Sequence, residues 1–336
     1  MKQDRILLGH GSGGKLMHDL IENLFLKYLN NPYLKDLSDA AVVKFKNRRL
    51  AFTTDSFVVK PLFFPGGDIG KLAVFGTVND LAVTGARPLF LSCAMIVQEG
   101  LPISVLEKIT KSLAEAAGKA KVEIITGDFK VVEKESCDGI FVNTAGIGEI
   151  VEKADISMKN IKPGDKIIIN GPIGQHGIAV LAARKELDFN FKIKSDCADL
   201  SGLVIPLLKE TSGIKFMRDP TRGGLATTLN EITDKTGLEI FLDENKIPIS
   251  KSVKASCEIL GLDPLYIANE GKVVLIVDSK KAENILKKIR RHSLGKYSQL
   301  IGEVVNKPKG KVCLNTSVGG RRIIDMLTSE MLPRIC

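Results

Sequence analysis

Apolar positions change their period along the chain, and each period predicts an element. Leu16, Leu20, Ile21, Leu24, Phe25 and Tyr28 recur at the spacing of a helix face. Two apolar-rich runs, 40–45 and 49–54, flank the polar Lys46-Asn47-Arg48 and read as an antiparallel hairpin. A helix is predicted over 69–84, a strand over 89–97, and a second helix opened by Pro102 with Leu106, Ile109 and Leu113 on one face. A strand over 122–126 ends in Gly127-Asp128, and another over 139–150 closes the first half. After the joint Lys162-Pro163-Gly164-Asp165, strands are predicted at 166–170, 215–217, 239–242, 272–277 and 300–304. Helices are predicted among them at 178–184, 200–210, 224–235, 251–260 and 282–290. The elements do not follow a strict βαβ series, so the fold class is α/β in the broad sense: α+β with mixed sheets.

At 336 residues the chain has room for two domains, placed at 1–152 and 153–316, followed by a tail over 317–336. Gly319 and Gly320 are the expected hinge of that tail, Arg321 and Arg322 follow, Pro333 stiffens it, and the last residue is Cys336. A thiol on a mobile segment can enter a pocket and withdraw, whereas packing cysteines lie inside strands and helices; chance placement is the competing explanation. The neighbouring α-carboxylate raises a thiol pKa, so Arg334 or a docking site has to compensate. From Gly319 onward an extended tail spans on the order of 60 Å at ~3.3–3.6 Å per residue, more than the radius of a domain.

With 44% hydrophobic and 26% charged residues the composition is that of a globular protein. No apolar run approaches the ~20 residues of a membrane span. Met1 to Arg5 lead into only three apolar residues, too few for a signal-peptide core, so a cytoplasmic protein is expected. The net charge of +9 is carried mostly by lysines on helical faces, with a concentration at Lys287, Lys288, Arg290 and Arg291. With 5% aromatics, no Trp and no recognisable module, nucleic-acid binding is not expected, and the charge fits phosphate ligands or an acidic protein partner. The six cysteines and four histidines show neither CxxC nor HExxH spacing, which argues against a zinc site and a disulfide framework.

The stretch Gly9 to Lys15 fits GxxxxGK, but Leu16 stands where a P-loop needs Ser or Thr for Mg²⁺, so that motif is rejected. Gly11, Gly13 and Gly14 still offer backbone N–H groups to a phosphate at a helix start. A flap over a nucleotide and a frayed terminus both remain open. Asp39, Asp55, Asp80, Asp128 and Asp219 each sit at the end of an apolar element, with Asn79 before Asp80 and Gly127 before Asp128. Singly they read as cap and turn residues. Together with the glycine-rich turns and Lys130 they fit a site for Mg²⁺ and a triphosphate, in which only some would be direct ligands.

The motifs are Gly9 to Lys15, Thr53-Thr54-Asp55-Ser56, Val78-Asn79-Asp80, Thr126-Gly127-Asp128 with Lys130-Val131-Val132, Gly171 to Gly177, Arg218 to Gly224, Asn269-Glu270-Gly271 and Pro333-Arg334-Ile335-Cys336. Over essentially the whole chain they resemble the HypE family of hydrogenase maturation factors, in the superfamily of aminoimidazole ribonucleotide synthetase, selenophosphate synthetase and thiamine monophosphate kinase. The terminal motif is the most specific. The resemblance implies two α/β domains, the first pairing with its copy in a homodimer across a β-barrel, and an ATP-dependent dehydration. It further implies that a HypF-type carbamoyltransferase loads a carbamoyl group on Cys336, and that the chain is expected to use ATP and Mg²⁺ to convert it to S-cyanocysteine for a HypC and HypD complex that carries the iron of [NiFe] hydrogenase. On this resemblance Asp55, Asp80, Asp128 and Asp219 bind Mg²⁺ and ATP, with Asp39 beside them, and Lys130 and Glu270 orient the amide and remove its protons. A selenophosphate synthetase or another small-molecule ATP-dependent synthetase is the rival enzyme, although residues 1 to 20 lack the reactive Cys expected of the former; a nucleotide-regulated scaffold is the rival of another class.

Overall fold

The structure, a computed structural model, describes residues 6–11, 13–29, 31–34, 37–184, 193–306, 310–328, 332 and 334–336. Ser12 of the glycine-rich stretch and Pro333 of the terminal motif lie outside the described residues. The predicted first helix is Lys15–Leu20 (α1), continued through a π turn, Ile21–Phe25, into Leu26–Leu29 (α2), and Leu24, Phe25 and Tyr28 on it are exposed.

The hairpin forms as Ala41–Phe45 (β1) and Arg48–Phe57 (β2), and a small ribbon, Phe63–Phe64 (β3) and Gly67–Asp68 (β4), leads into the helix Ile69–Val83 (α3). Asp68 caps α3 by accepting from the Gly70 and Lys71 amides. Nearly every α3 side chain is buried, as an all-round apolar helix requires. Ala86–Gln98 (β5), Ile103–Ala120 (α4), Glu123–Val132 (β6) and Ile140–Ile150 (β7) complete a five-stranded sheet of order β1-β2-β7-β5-β6. Only β5 and β6 are parallel neighbours.

The strand expected to end at Thr126 runs on through Val132, because the long β5 offers a ladder as far as Gln98. Gly127 is therefore internal to a strand. It faces Cys93 on β5, where an added Cβ would collide with the Cys93 carbonyl oxygen, so its smallness serves strand packing.

The second sheet has the order β14-β13-β10-β12-β8-β11-β9. Its strands are Lys166–Ile169 (β8), Ile214–Arg218 (β9), Glu239–Asp243 (β10), Val274–Val277 (β11), Gln299–Val305 (β12), Val312–Asn315 (β13) and Arg321–Ile324 (β14). Gln175–Ala183 (α5), Ser201–Glu210 (α6), Gly224–Thr236 (α7), Lys251–Leu260 (α8) and Ala282–Ile289 (α9) accompany them. Ile167, Ile169 and Ile276 pack with Leu225 and Leu229 of α7, whereas Ile168, Leu275 and Val277 pack with Leu203 of α6 and Ile285 of α9. Cover on both faces explains why these strands read as unbroken apolar runs. Leu81, Ala82 and Val83 of α3 enter the α6 and α9 cluster and join the two halves.

Gly319 and Gly320 are not a hinge: hydrogen bonds with Thr316 close a hairpin turn, and β14 pairs antiparallel with β13. The segment that leaves the sheet starts after Ile324. Among the described residues no helix is long and apolar enough to cross a membrane.

The two faces of the first sheet differ. α3 and α4 cover one; on the other, Phe52, Ile147 and Phe90 align across β2, β7 and β5 and are 49%, 39% and 40% exposed. Ile96, also exposed, stands on that open face opposite Lys130 of β6.

Candidate active site

Between the halves lies a cleft of ≈ 480 Å³ whose wall includes Asp39, Asp55, Asp80, Asp219, Glu270, Arg218, Arg222 and Cys336. Each acid arrives from a different element. Asp55 comes from the helix-covered face of β2, Asp80 from α3, Asp219 from the turn after β9, Glu270 from the loop before β11, and Asp39 precedes β1. Asp39 accepts from Arg218 Nε at 3.1 Å, and Glu231 takes the other arm of that guanidinium at 2.9 Å. The Thr53 hydroxyl donates to Asp80 at 3.0 Å, and the Ser56 amide to Asp55 at 2.8 Å.

Charge is crowded here. Burial, then the Asp219, Asp55 and Asp39 charges, push the Asp80 carboxyl well above the usual carboxylate range. Burial and Asp39 lift Asp219 to about 7. Burial raises Asp39 in spite of Arg218, and Asp55 in spite of Arg222. Glu270 is pushed well up by burial and by Asp219, Asp55 and Asp196, with Arg222 opposing. Buried and half-buried carboxylates crowded into one cleft suit a divalent cation. Among the described residues no three His, Cys, Asp or Glu side chains are grouped to hold a metal ion by themselves. This donor set fits Mg²⁺, whose remaining positions phosphate oxygens and water would fill.

Other expected residues lie elsewhere. Asp128 and Lys130 pair at 2.7 Å on the exposed edge strand β6, where the Lys130 ammonium holds the Asp128 carboxyl below its ordinary value. They project from the open face of the sheet, opposite to Asp55, and do not line the cleft. Asn79 is turned away too: its amide donates to Ala198 O at 3.0 Å and Glu270 O at 3.4 Å and accepts from the Leu200 amide, tying α3 to the second half. Of the glycines, Gly13 borders the cleft at φ +79 against Arg222, Gly11 O accepts from Arg222, and Gly14 packs on the Leu327 carbonyl, which the Lys15 amide bonds at 2.9 Å.

The tail is docked with Cys336 inside the cleft. The Val58 amide donates to Cys336 O at 3.0 Å and the Lys60 amide to Arg334 O at 3.1 Å, while Ile335 is buried. Arg334 pairs with Asp138 and donates to Val58 O, so the compensating charge is another one. It is Arg222, whose guanidinium is stabilised first by the negative charge at Cys336 and then by Asp55 and Glu270. Arg218 and Arg222 were legible as two cations spaced four apart around Asp219, yet only the acid stood out.

The family profile of the AIR synthase related protein, N-terminal domain, matches residues 37–150, and that of the C-terminal domain matches 162–315. A carbamoyl dehydratase HypE of Cupriavidus necator is 46% identical over 100% of this chain and 96% of its own length. The chain belongs to the HypE family. Solved HypE structures agree: a HypE in a HypE–HypF complex superposes with TM-score 0.87 at 50% identity, over 92% of this chain and 99% of the other. A HypE in complex with ATP superposes with TM-score 0.82 at 46% identity, over 99% of this chain and 100% of the other.

Proposed function

We propose that this chain uses ATP and Mg²⁺ to dehydrate a carbamoyl group carried on its own Cys336. The observation that carries this is the presence of Cys336 in the same cleft as the crowded acids and Arg222. In the reaction the amide oxygen takes the terminal phosphoryl group of ATP, the nitrogen gives up two protons, and phosphate leaves with the oxygen, so S–C(=O)NH₂ becomes S–C≡N. An amide oxygen is a poor leaving group and phosphate a good one, which is why the step requires ATP; Mg²⁺ would supply charge neutralisation on the phosphates. Asp55, Asp80 and Asp219 would hold the metal and nucleotide, with Asp39 orienting Arg218. Glu270, which lines the cleft beside Cys336 and whose carboxyl is pushed well up by burial and by Asp219, Asp55 and Asp196, would take a proton from the nitrogen. Arg222 would stabilise charge on the tail and on the developing phosphate.

Asp128 and Lys130 face away from their own cleft, so a role for them in this chemistry requires another copy of the chain. The uncovered row of Phe52, Ile147 and Phe90 supports a homodimer through this face, which would carry Asp128 and Lys130 to the partner's cleft. The division at 1–152 and 153–316 fits the matched ranges, with the free tail shortened to the residues after Ile324. The cyanide would pass to an iron-carrying HypC and HypD complex in the cytoplasm after loading by a HypF-type carbamoyltransferase. Phosphate release measured with unloaded and carbamoyl-loaded chain tests the proposal: release is expected with the loaded tail only, and equal release from both forms would refute it.

A further inference from the structure

We infer that His176, with Ser195 behind it, is a positioning residue that selects the inserted tail for dehydration; this rests on the function proposed above. His176 stands in the first turn of α5, fully buried, with its Nε2 2.8 Å from Ile335 O and its Nδ1 2.8 Å from Ser195 Oγ. A carbonyl only accepts, so Nε2 carries the proton and Nδ1 must accept from the Ser195 hydroxyl. The Cys197 amide donates to Ser195 Oγ at 3.0 Å, which turns that hydroxyl proton toward the ring. Thus a chain of donors, Cys197 amide to Ser195 to His176, ends on the peptide carbonyl next to Cys336. The Phe64 ring stands edge-on to the imidazole at 5.4 Å and fixes its plane. Burial holds the imidazole pKa below its usual value, in keeping with the neutral tautomer.

Withdrawal of the tail removes the acceptor of this N–H, so the hydrogen bond and its net contribution are present in the docked form only. Loading needs the thiol exposed to a separate carbamoyltransferase, and dehydration needs it in the cleft. A contact made only by the docked tail therefore acts on the two steps in opposite directions. Damage to the fold would lower both.

The test uses the full chain. Wild type, His176→Phe, His176→Gln and Ser195→Ala are compared by intact mass for carbamoyl loading and for subsequent loss of water on adding ATP and Mg²⁺. Alkylation of Cys336 by iodoacetamide is followed by peptide mass in the unloaded proteins. His176→Phe is expected to load at least as fast as wild type, alkylate about fivefold to tenfold faster, and dehydrate slower by the same ratio, that of one hydrogen bond of ordinary net strength. His176→Gln, whose amide keeps a donor near Nε2, should return toward wild type, and ATP affinity should be unchanged throughout. Ser195→Ala removes one oxygen and tests the relay even where His176→Phe fails to fold. Wild-type rates of alkylation and dehydration in folded His176→Phe, or in Ser195→Ala should His176→Phe not fold, overturn the inference, as does a parallel loss of loading, dehydration and ATP affinity. Failure of loaded wild type to lose water overturns the proposed function instead.

Discussion

The two faces of the first sheet carry acids of similar appearance in the sequence and opposite character in the molecule. On the covered face, Asp55 joins Asp80 and Asp219 in a cleft where burial raises all three carboxyls and repulsion from neighbouring acids adds to it at Asp80 and Asp219. On the open face, Asp128 is exposed, paired with Lys130 and held below its usual value. The first set is costly to keep ionised without a cation; the second is satisfied and sits beside an apolar row left open to solvent. An acid at a strand end therefore says little until the face it occupies is known.

The largest effect on this contrast is expected at the covered face. Asp80→Ala and Asp219→Ala should each weaken Mg²⁺-ATP binding by roughly a hundredfold, while thermal stability without ligand holds or rises as repulsion is relieved. Titration calorimetry with matched thermal melts checks both halves; unchanged nucleotide affinity would separate these acids from the site.

A smaller but sharper effect belongs to the open face. Ile147→Glu puts a charge in the middle of the apolar row and should yield a monomer by analytical ultracentrifugation, with dehydration lost. If Asp128 and Lys130 act in the partner's cleft, mixing Lys130→Ala with Glu270→Ala should restore about a quarter of the activity through hybrid dimers that hold one intact cleft in two. No recovery in a verified hybrid would return Lys130 to a role on the surface.

The smallest effect is a pH dependence. Asp219 keeps its proton in the folded chain up to about 7, whereas an unfolded Asp releases it near ~3.9. A folded pKa raised in this way contributes stability that is present below about pH 4 and lost as pH rises toward 7. The ligand-free melting temperature should fall across that window, and Mg²⁺-ATP should raise it more at about pH 8 than at about pH 6. Asp219→Asn should flatten the difference.

Much of this was legible. The Ile167-Ile168-Ile169 run predicted a strand, which the structure covers on both faces, and Leu106, Ile109 and Leu113 predicted the packed face of α4. Gly127, expected at the end of its strand, lies inside it, where an added Cβ would meet the Cys93 carbonyl oxygen. Asn79 and Asp80 are neighbours in sequence but about 100° apart around a helix, so one ties down a loop and the other faces the cleft. The contacts that hold the tail were out of reach: His176 and Ile335 are 159 residues apart, and no local pattern links them.

The central claim is that Cys336 carries the substrate, and intact-protein mass spectrometry tests it most directly. Wild type and Cys336→Ala are each incubated with the loading carbamoyltransferase, carbamoyl phosphate and ATP. Wild type should gain a carbamoyl group and then lose one water, and Cys336→Ala should bind ATP normally and gain neither mass. A cyanide mass on Cys336→Ala would contradict the account.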